Sequence, residues 1–144
     1  MSLEKIINDA WENKDQVGPN SDKSLKDAIN QVISDLDSVK SRVAEKINGE
    51  WVTHQHLKKA IMLSFRVYEN DILSGPYSVW RDRQNLLKGK TAGWTKEEFE
   101  KAGFRMVPNS PVRKGSFIGK DAVLMPCYVN IGAWDWGKNY DGYV

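Results

Sequence analysis

Apolar positions in the first third of the chain recur at the spacing of amphipathic helices. The first apolar face comprises Leu3, Ile6, Ile7, Ala10 and Trp11. We expect this helix to end before Gly18-Pro19, because proline restricts the backbone of the residue before it. The second face comprises Leu25, Ala28, Ile29, Val32, Ile33 and Leu36, after a capping residue among Ser21, Asp22 and Ser24. Two such helices joined by a short polar turn are typical of an antiparallel pair.

The spacing then changes to that of strands. Residues 42–47 alternate apolar and polar side chains, Asn48-Gly49 is the preferred type I′ turn, and residues 51–53 supply a returning strand. This stretch therefore predicts a β-hairpin. Helical spacing returns from Leu57 to Phe65. Residues 66–93 show no sustained period, and we interpret them as a loop with one short strand near 66–68.

The strongest local signal in the sequence predicts the start of a helix after Trp94. Thr95 and Glu98 have the spacing of a capping box, in which each side chain accepts a hydrogen bond from the main chain of the other residue. Trp94 is placed to pack on Phe99. Gly103 is expected to end this short helix, because glycine adopts the left-handed conformation without a steric penalty.

A six-residue repeat of apolar positions follows Gly103. Phe117, Val123 and Val129 are six residues apart, with small or polar residues between them. Such a repeat is typical of a left-handed parallel β-helix, whose repeated apolar side chains point into the core. The spacing alone fits equally well a pair of antiparallel strands broken at Pro126. Together with the helices and the hairpin, either arrangement gives an α+β fold.

Composition and charge narrow the class of protein. A chain of 144 residues with 40% hydrophobic side chains fits one domain or two small subdomains, and its single cysteine excludes an internal disulfide scaffold. No apolar run reaches the ~20 residues of a membrane-spanning helix, and the first residues are too acidic for a signal peptide. We expect a soluble, cytoplasmic protein. The net charge of +2 requires neither a nucleic-acid nor a membrane partner.

Three other groups of residues are candidates for metal binding, nucleophilic catalysis or nucleic-acid binding. His54 and His56 lack a third metal ligand, so we predict a capping or surface role and no metal site. Cys127 is expected to be a small buried hydrophobe and no nucleophile. A basic and aromatic stretch is predicted to be a solvated loop that binds no nucleic acid. Its members are Trp80, Arg81, Arg83, Lys88, Lys90 and Trp94.

Three long strings of mixed residue types point to a known family. They are WVTHQ-x-LKKA, GFR-x-VP and LMP-x-YVNIGA. The chain from Leu3 to Ala133 resembles the tetrahydrodipicolinate N-succinyltransferase family. The strings argue against a different hexapeptide-repeat acyltransferase. The resemblance implies a helical N-terminal domain at residues 1–103, the first coil of a left-handed β-helix at 104–133, and a homotrimer for the intact protein.

The resemblance also implies an activity, which is transfer of a succinyl group from succinyl-CoA to the amino group of ring-opened tetrahydrodipicolinate in diaminopimelate and lysine biosynthesis. Succinyl-CoA is then a co-substrate, and no bound cofactor is implied. Arg105 corresponds to the arginine of the family that contacts the dicarboxylate substrate. A guanidinium suits this role because its planar fork can hold a carboxylate through two parallel bonds. We assign no catalytic residue within this chain.

Residues 134–144 depart from the family pattern. That pattern continues with Gly-Thr-Met-x-Asp-Thr-Trp, whereas this chain reads WDWGKNYDGYV. The six-residue spacing places Asp135 in the core, where an unpaired carboxylate would cost several kcal/mol. Back-translation of residues 139–144 in a shifted frame reproduces part of the family string, so we expect an aberrant, frameshifted tail. Asp141 does not match the family's aspartate. We therefore expect the chain to be inactive alone; the alternative is a non-catalytic helical protein-interaction module.

Overall fold

A computed structural model gives the fold of residues 2–75, 78–83 and 89–137. Helices α1 (Leu3–Glu12), α2 (Lys23–Asp37) and α3 (Gln55–Val67) each contact the other two. The three predicted helices are confirmed. The first helix ends earlier than expected, and a 3-10 turn at Lys14–Gln16 precedes Gly18-Pro19.

The apolar faces of these helices form a first core. Its buried members are Ile7, Ala28, Ile29, Val32, Ile33, Leu36, Leu57, Ala60, Leu63, Val67 and Ile131. All but Ile131 come from the three helices, because their apolar positions fall on one side at helical spacing. Ile131 lies far along the chain, so the C-terminal part packs directly on the helices. No helix among the described residues is long and apolar enough to cross a membrane.

Two β-hairpins flank α3. Strands β1 (Ala44–Ile47) and β2 (Glu50–Thr53) form the predicted hairpin. Asn48 and Gly49 both have positive φ, of 52° and 87°, as a type I′ turn requires. Strands β3 (Asn70–Ser74) and β4 (Val79–Arg83) form a second antiparallel hairpin.

The second hairpin corrects the interpretation of residues 66–93. The strand expected at 66–68 is wrong, because α3 continues through Val67. Strand β3 is exposed throughout and β4 for most of its length. A strand without a buried face has no reason to alternate apolar and polar residues, so its sequence carries no period-two signal. Residues 84–88 lie outside the described residues.

Helix α4 (Lys96–Ala102) begins at the predicted capping box. Thr95 N donates to Glu98 Oε2 over 2.6 Å, and Glu98 N donates to Thr95 Oγ1 over 3.4 Å. Trp94 packs on Phe99 with ring centroids 5.2 Å apart. Gly103 ends the helix in the left-handed conformation, with φ of 74°. The expected start and end of this helix are therefore confirmed.

The C-terminal part is a set of short parallel strands. Strand β5 (Arg105–Met106) pairs with β7 (Val123–Leu124), and β6 (Phe117–Ile118) pairs with β8 (Trp134–Asp135). A parallel bridge joins Val112 to Val129. The alternative of two antiparallel strands is wrong. The described chain thus combines four α-helices with small two-stranded sheets, which is a mixed α+β fold.

The six-residue repeat is present, but its phase differs from the predicted one. Val112, Ile118 and Leu124 are six residues apart and buried, and Met106 packs against them. Val123, by contrast, is 43% exposed. The predicted phase is wrong at Val123, whose neighbour Leu124 is the buried residue, whereas Val129 packs against the same core as predicted. Phe104 and Ala122 complete this second core.

Candidate functional site

Arg105 begins strand β5, one residue after the buried Phe104. Its main-chain N–H donates to Ala122 O over 2.9 Å, which fixes the backbone of Arg105 beside β7 in the next turn of the coil. Successive side chains of a strand point to opposite sides. Because Phe104 and Met106 belong to the second core, Arg105 is directed outward, and its side chain is exposed.

The Arg105 guanidinium forms no hydrogen bond or ion pair with any residue that the structure describes. Two other cations near the coil are engaged. Lys90 Nζ lies 2.8 Å from Asp37 Oδ1, with 9% of the lysine side chain exposed. Arg113 forms an ion pair with Asp82. Arg105 is thus free to hold the carboxylate of a ligand through two parallel hydrogen bonds.

Arg113 is the centre of a cluster that sequence reasoning missed. Its guanidinium lies 5.2 Å from the Phe65 ring centroid and 5.5 Å from that of Tyr128, in addition to its ion pair with Asp82. The cluster joins α3, β4 and the coil. The Tyr128 side chain is largely exposed, but partial burial of its hydroxyl raises the pKa of that group, and the positive charge of Arg113 opposes the increase. No local sequence motif predicts such a cluster, because its members are far apart in the sequence.

The two histidines are paired with carboxylates. His54 Nε2 lies 2.7 Å from Glu45 Oε1, and His56 Nδ1 lies 3.7 Å from Glu4 Oε1. His54 stands at the start of α3, yet its side chain does not cap the helix. Within residues 2–75, 78–83 and 89–137, no three side chains of His, Cys, Asp or Glu converge as a metal site would require.

Cys127 is exposed, which corrects the expectation that it is buried. It lies between Pro126 and Tyr128 on the outside of the coil, where neighbouring residues are also exposed. The single cysteine therefore contributes nothing to either core.

The basic and aromatic stretch is not one surface. Lys90 is bound to Asp37, and Trp94 packs in the second core. Arg83 donates through Nη1 to Tyr68 O over 3.2 Å. Lys88 lies outside the described residues. Of the remaining members, Trp80 and Arg81 are exposed on β4. The alternating cations and aromatic rings that would bind single-stranded nucleic acid are therefore dispersed.

Asp135 is not the unpaired core carboxylate that the spacing predicts. It is half-buried in β8, and Gly137 N donates to its Oδ1 over 2.9 Å. In the parallel pairing of β6 with β8, Asp135 lies opposite the buried Ile118, and this hydrogen bond supplies a polar partner for its carboxylate there. Residues 138–144 lie outside the described residues.

Trp134 and Trp136 are held by contacts that sequence reasoning also missed. The Arg42 guanidinium lies 3.5 Å from the Trp134 ring centroid and 4.5 Å from that of Trp136. Phe117 packs on Trp134 with centroids 4.2 Å apart. These contacts connect the segment before β1 to β6 and β8, beside a small cavity that Arg42 and Trp134 both line.

The structure thus shows three packed helices followed by a short parallel coil, on which Arg105 has no partner among the residues that the structure describes. Comparison with known proteins gives this class a name. Residues 2–67 match the family model of the tetrahydrodipicolinate N-succinyltransferase N-terminal domain. The resemblance found in the sequence is confirmed, and these residues are similar to the N-terminal domain of that family.

Curated relatives extend the match beyond the N-terminal domain. The chain is 69% identical over 132 residues to the 2,3,4,5-tetrahydropyridine-2,6-dicarboxylate N-succinyltransferase of Pelagibacter ubique, a match that covers 92% of the chain and 48% of the relative. The enzymes of the same name from Sodalis glossinidius and Dechloromonas aromatica are 50% and 49% identical, again over 92% of the chain. These two matches cover 48% and 47% of the respective relatives.

The chain therefore spans about half the length of the curated relatives it matches. All three relatives are named as N-succinyltransferases, so their names favour an acyltransferase family over a non-catalytic interaction module.

Proposed function

We propose that this chain supplies the N-terminal portion of a tetrahydrodipicolinate N-succinyltransferase. The observation that carries the proposal is the 69% identity to a curated enzyme of that name over 132 residues. Succinyl-CoA and a dicarboxylate are then its small-molecule partners. The intact protein is a cytoplasmic homotrimer, in keeping with the family it resembles.

The parallel strands of the C-terminal part support a left-handed β-helix as the finer description of the coil. Arg105 pairs with Val123, Val112 with Val129, and Phe117 with Trp134. Each pairing joins residues about three hexapeptides apart, which is one turn of a coil whose three sides are each one hexapeptide long. We propose residues 1–103 as the helical domain, 104–133 as the start of the β-helix and 134–144 as an aberrant tail, whose first residues, Trp134–Asp135, pair with β6.

Arg105 is the substrate-binding residue in this proposal. In succinyl transfer, the amine nitrogen attacks the thioester carbonyl, the amine loses a proton to a base, and the thiol of coenzyme A leaves. Holding the dicarboxylate in place lets this bimolecular step proceed from a fixed geometry. Arg105 is exposed, lies on a backbone fixed by a hydrogen bond, and is unpaired among the described residues, so it can bind a substrate carboxylate without first breaking an internal ion pair.

The activity is tested by joining residues 1–133 to the C-terminal half of the Pelagibacter ubique relative. We expect the chimera to release thiol from succinyl-CoA only when tetrahydrodipicolinate is present. The 144-residue chain, assayed in parallel, should release none. A chimera that folds and assembles as the relative does but releases no thiol would contradict the proposal, and turnover by the 144-residue chain alone would contradict its inactivity.

A further inference from the structure

We propose that Lys120 is a second cationic group of the Arg105 site and binds the second carboxylate of the dicarboxylate. This inference rests on the proposed function of Arg105. A ligand with two carboxylates is held in a defined orientation only when each of them meets its own donor, so one arginine alone leaves half of the ligand unbound.

Gly103 brings the Lys120 side chain to this site. Its φ of +74° suits a residue without a Cβ. The Cγ, Cε and Cδ atoms of Lys120 lie 2.8, 3.4 and 3.5 Å from the position that a Cβ would occupy. The methylene groups of Lys120 therefore pack against Gly103, and this contact restricts the region that the Lys120 ammonium group can reach.

Two main-chain hydrogen bonds hold the same segments together. Asp121 N donates to Gly103 O over 2.7 Å, and Arg105 N donates to Ala122 O over 2.9 Å. Arg105 is two residues beyond the glycine that Lys120 covers. Standard bond lengths then place the Lys120 ammonium at most roughly 14 Å from the Arg105 α-carbon. The extended arginine side chain and a dicarboxylate of the length of pimelate can bridge that distance together.

Neither cation is engaged with another residue that the structure describes. Both side chains are exposed, and neither forms an ion pair or hydrogen bond within the described part of the chain. The nearest acidic residue in the segment is Asp121, which is also exposed and has no ion pair with a described residue. The negative charge of Asp121 repels a simple dicarboxylate. Removing this charge should therefore strengthen binding, which provides an independent test.

The experiment titrates the 144-residue chain with pimelate and with heptanoate, which has a single carboxylate, and follows the main-chain NMR signals of residues 103–105 and 120–123. We expect pimelate to bind more tightly. Lys120→Met should weaken pimelate binding about 3- to 5-fold, the scale of one exposed charge pair, and leave heptanoate binding unchanged. Asp121→Asn should strengthen pimelate binding.

Lys114→Met is the matched control, since Lys114 is an exposed lysine of the same coil with no ion pair among the described residues. We expect it to bind pimelate as the unaltered chain does. The inference is overturned if Lys120→Met behaves like Lys114→Met while Arg105→Met still weakens binding, a result that leaves the proposed role of Arg105 intact. Equal binding of pimelate and heptanoate by the unaltered chain overturns it as well.

Discussion

Single residues show how a local signal becomes a specific conformation. Thr95, Glu98 and Gly103 act through hydrogen bonds and backbone preferences within a few positions of the chain, and the structure places all three as the sequence predicts. Cys127 and Asp135 are different, because their environment depends on which side of the coil faces inward. Cys127 is exposed, and Asp135 is half-buried and accepts a hydrogen bond from Gly137 N, and nothing in the neighbouring sequence decides either outcome.

The capping box gives a prediction at this scale. Thr95→Ala should lower the free energy of unfolding by about 1 kcal/mol, because the main-chain N–H of Glu98 loses its acceptor. Chemical denaturation measures this loss, and Thr95→Ser is the control that keeps the hydroxyl. A Thr95→Ala variant as stable as the unaltered chain would show that the capping box does not contribute.

Glu97 reports on the same helix start through its pKa. Hydrogen bonds from its own main chain and from the Thr95 side chain lower the pKa of its carboxyl group. A lowered pKa means that the contribution to stability is present above the pKa of the unfolded chain and is lost as pH falls through that of the folded chain. In Thr95→Ala the pKa of Glu97 should rise toward its ordinary value, measured by NMR titration; an unchanged pKa would remove Thr95 as a cause.

Tyr128 provides a second titration. Burial raises the pKa of its hydroxyl, and the charge of Arg113 lowers it. Arg113→Met should therefore raise the pKa of Tyr128 further, which ultraviolet absorbance of the tyrosinate measures if Tyr128→Phe identifies the signal. The stabilisation that accompanies a raised pKa is fully present below the pKa of the unfolded chain. It is lost as pH rises through the pKa of the folded chain. A fall in the pKa of Tyr128 in this variant would contradict the account of the cluster.

At the scale of elements, the sequence predicts those elements that either bury one face or carry a specific turn. Helices α1, α2 and α3 bury one face and follow from the spacing of their apolar residues, whereas the largely exposed hairpin β1–β2 follows from its Asn48-Gly49 turn. The exposed hairpin β3–β4 has neither signal. The family resemblance indicated Arg105, which spacing alone would not distinguish from any solvated arginine. Contacts between distant residues, such as those of Arg113 and Arg42, carry no local signal at all.

The contact of Arg42 with Trp134 and Trp136 is testable as a link between elements. Arg42→Met should lower the free energy of unfolding by about 1 kcal/mol, the range measured for exposed and half-buried cation–π contacts. It should also shift tryptophan fluorescence toward that of exposed indoles. Arg42→Lys keeps the charge and serves as the control. A variant with unaltered fluorescence and stability would show that the rings are not held by the arginine.

At the scale of the whole molecule, an ion pair joins the two cores. Asp37 at the end of α2 accepts from Lys90 Nζ and from Gly115 N, each over 2.8 Å. Gly115 also lies close to the first core, since a Cβ there would be 2.9 Å from Ile131 Cγ2 and 3.3 Å from Ile33 Cγ2. The turn that carries Lys90 and the coil that carries Arg105 are thus both fixed to the same carboxylate.

Lys90→Met should destabilise the protein by about 2–3 kcal/mol, because it leaves Asp37 without its charged partner in a largely buried position. Adding Asp37→Asn should restore part of that loss, as it removes the unpaired charge. Denaturant titration of the two single variants and the double variant measures this coupling. Additive losses would show that Lys90 and Asp37 act independently.

The central claim is that Arg105 binds a carboxylate of tetrahydrodipicolinate in an N-succinyltransferase. The most direct measurement is the pair of KM values for Arg105→Met in the chimera of residues 1–133 with the C-terminal half of the Pelagibacter ubique relative. We predict that the KM for tetrahydrodipicolinate rises by about 10- to 100-fold, as expected for loss of a charged hydrogen-bonding group, while the KM for succinyl-CoA stays within about twofold. An Arg105→Met chimera with an unaltered KM for tetrahydrodipicolinate would contradict the claim.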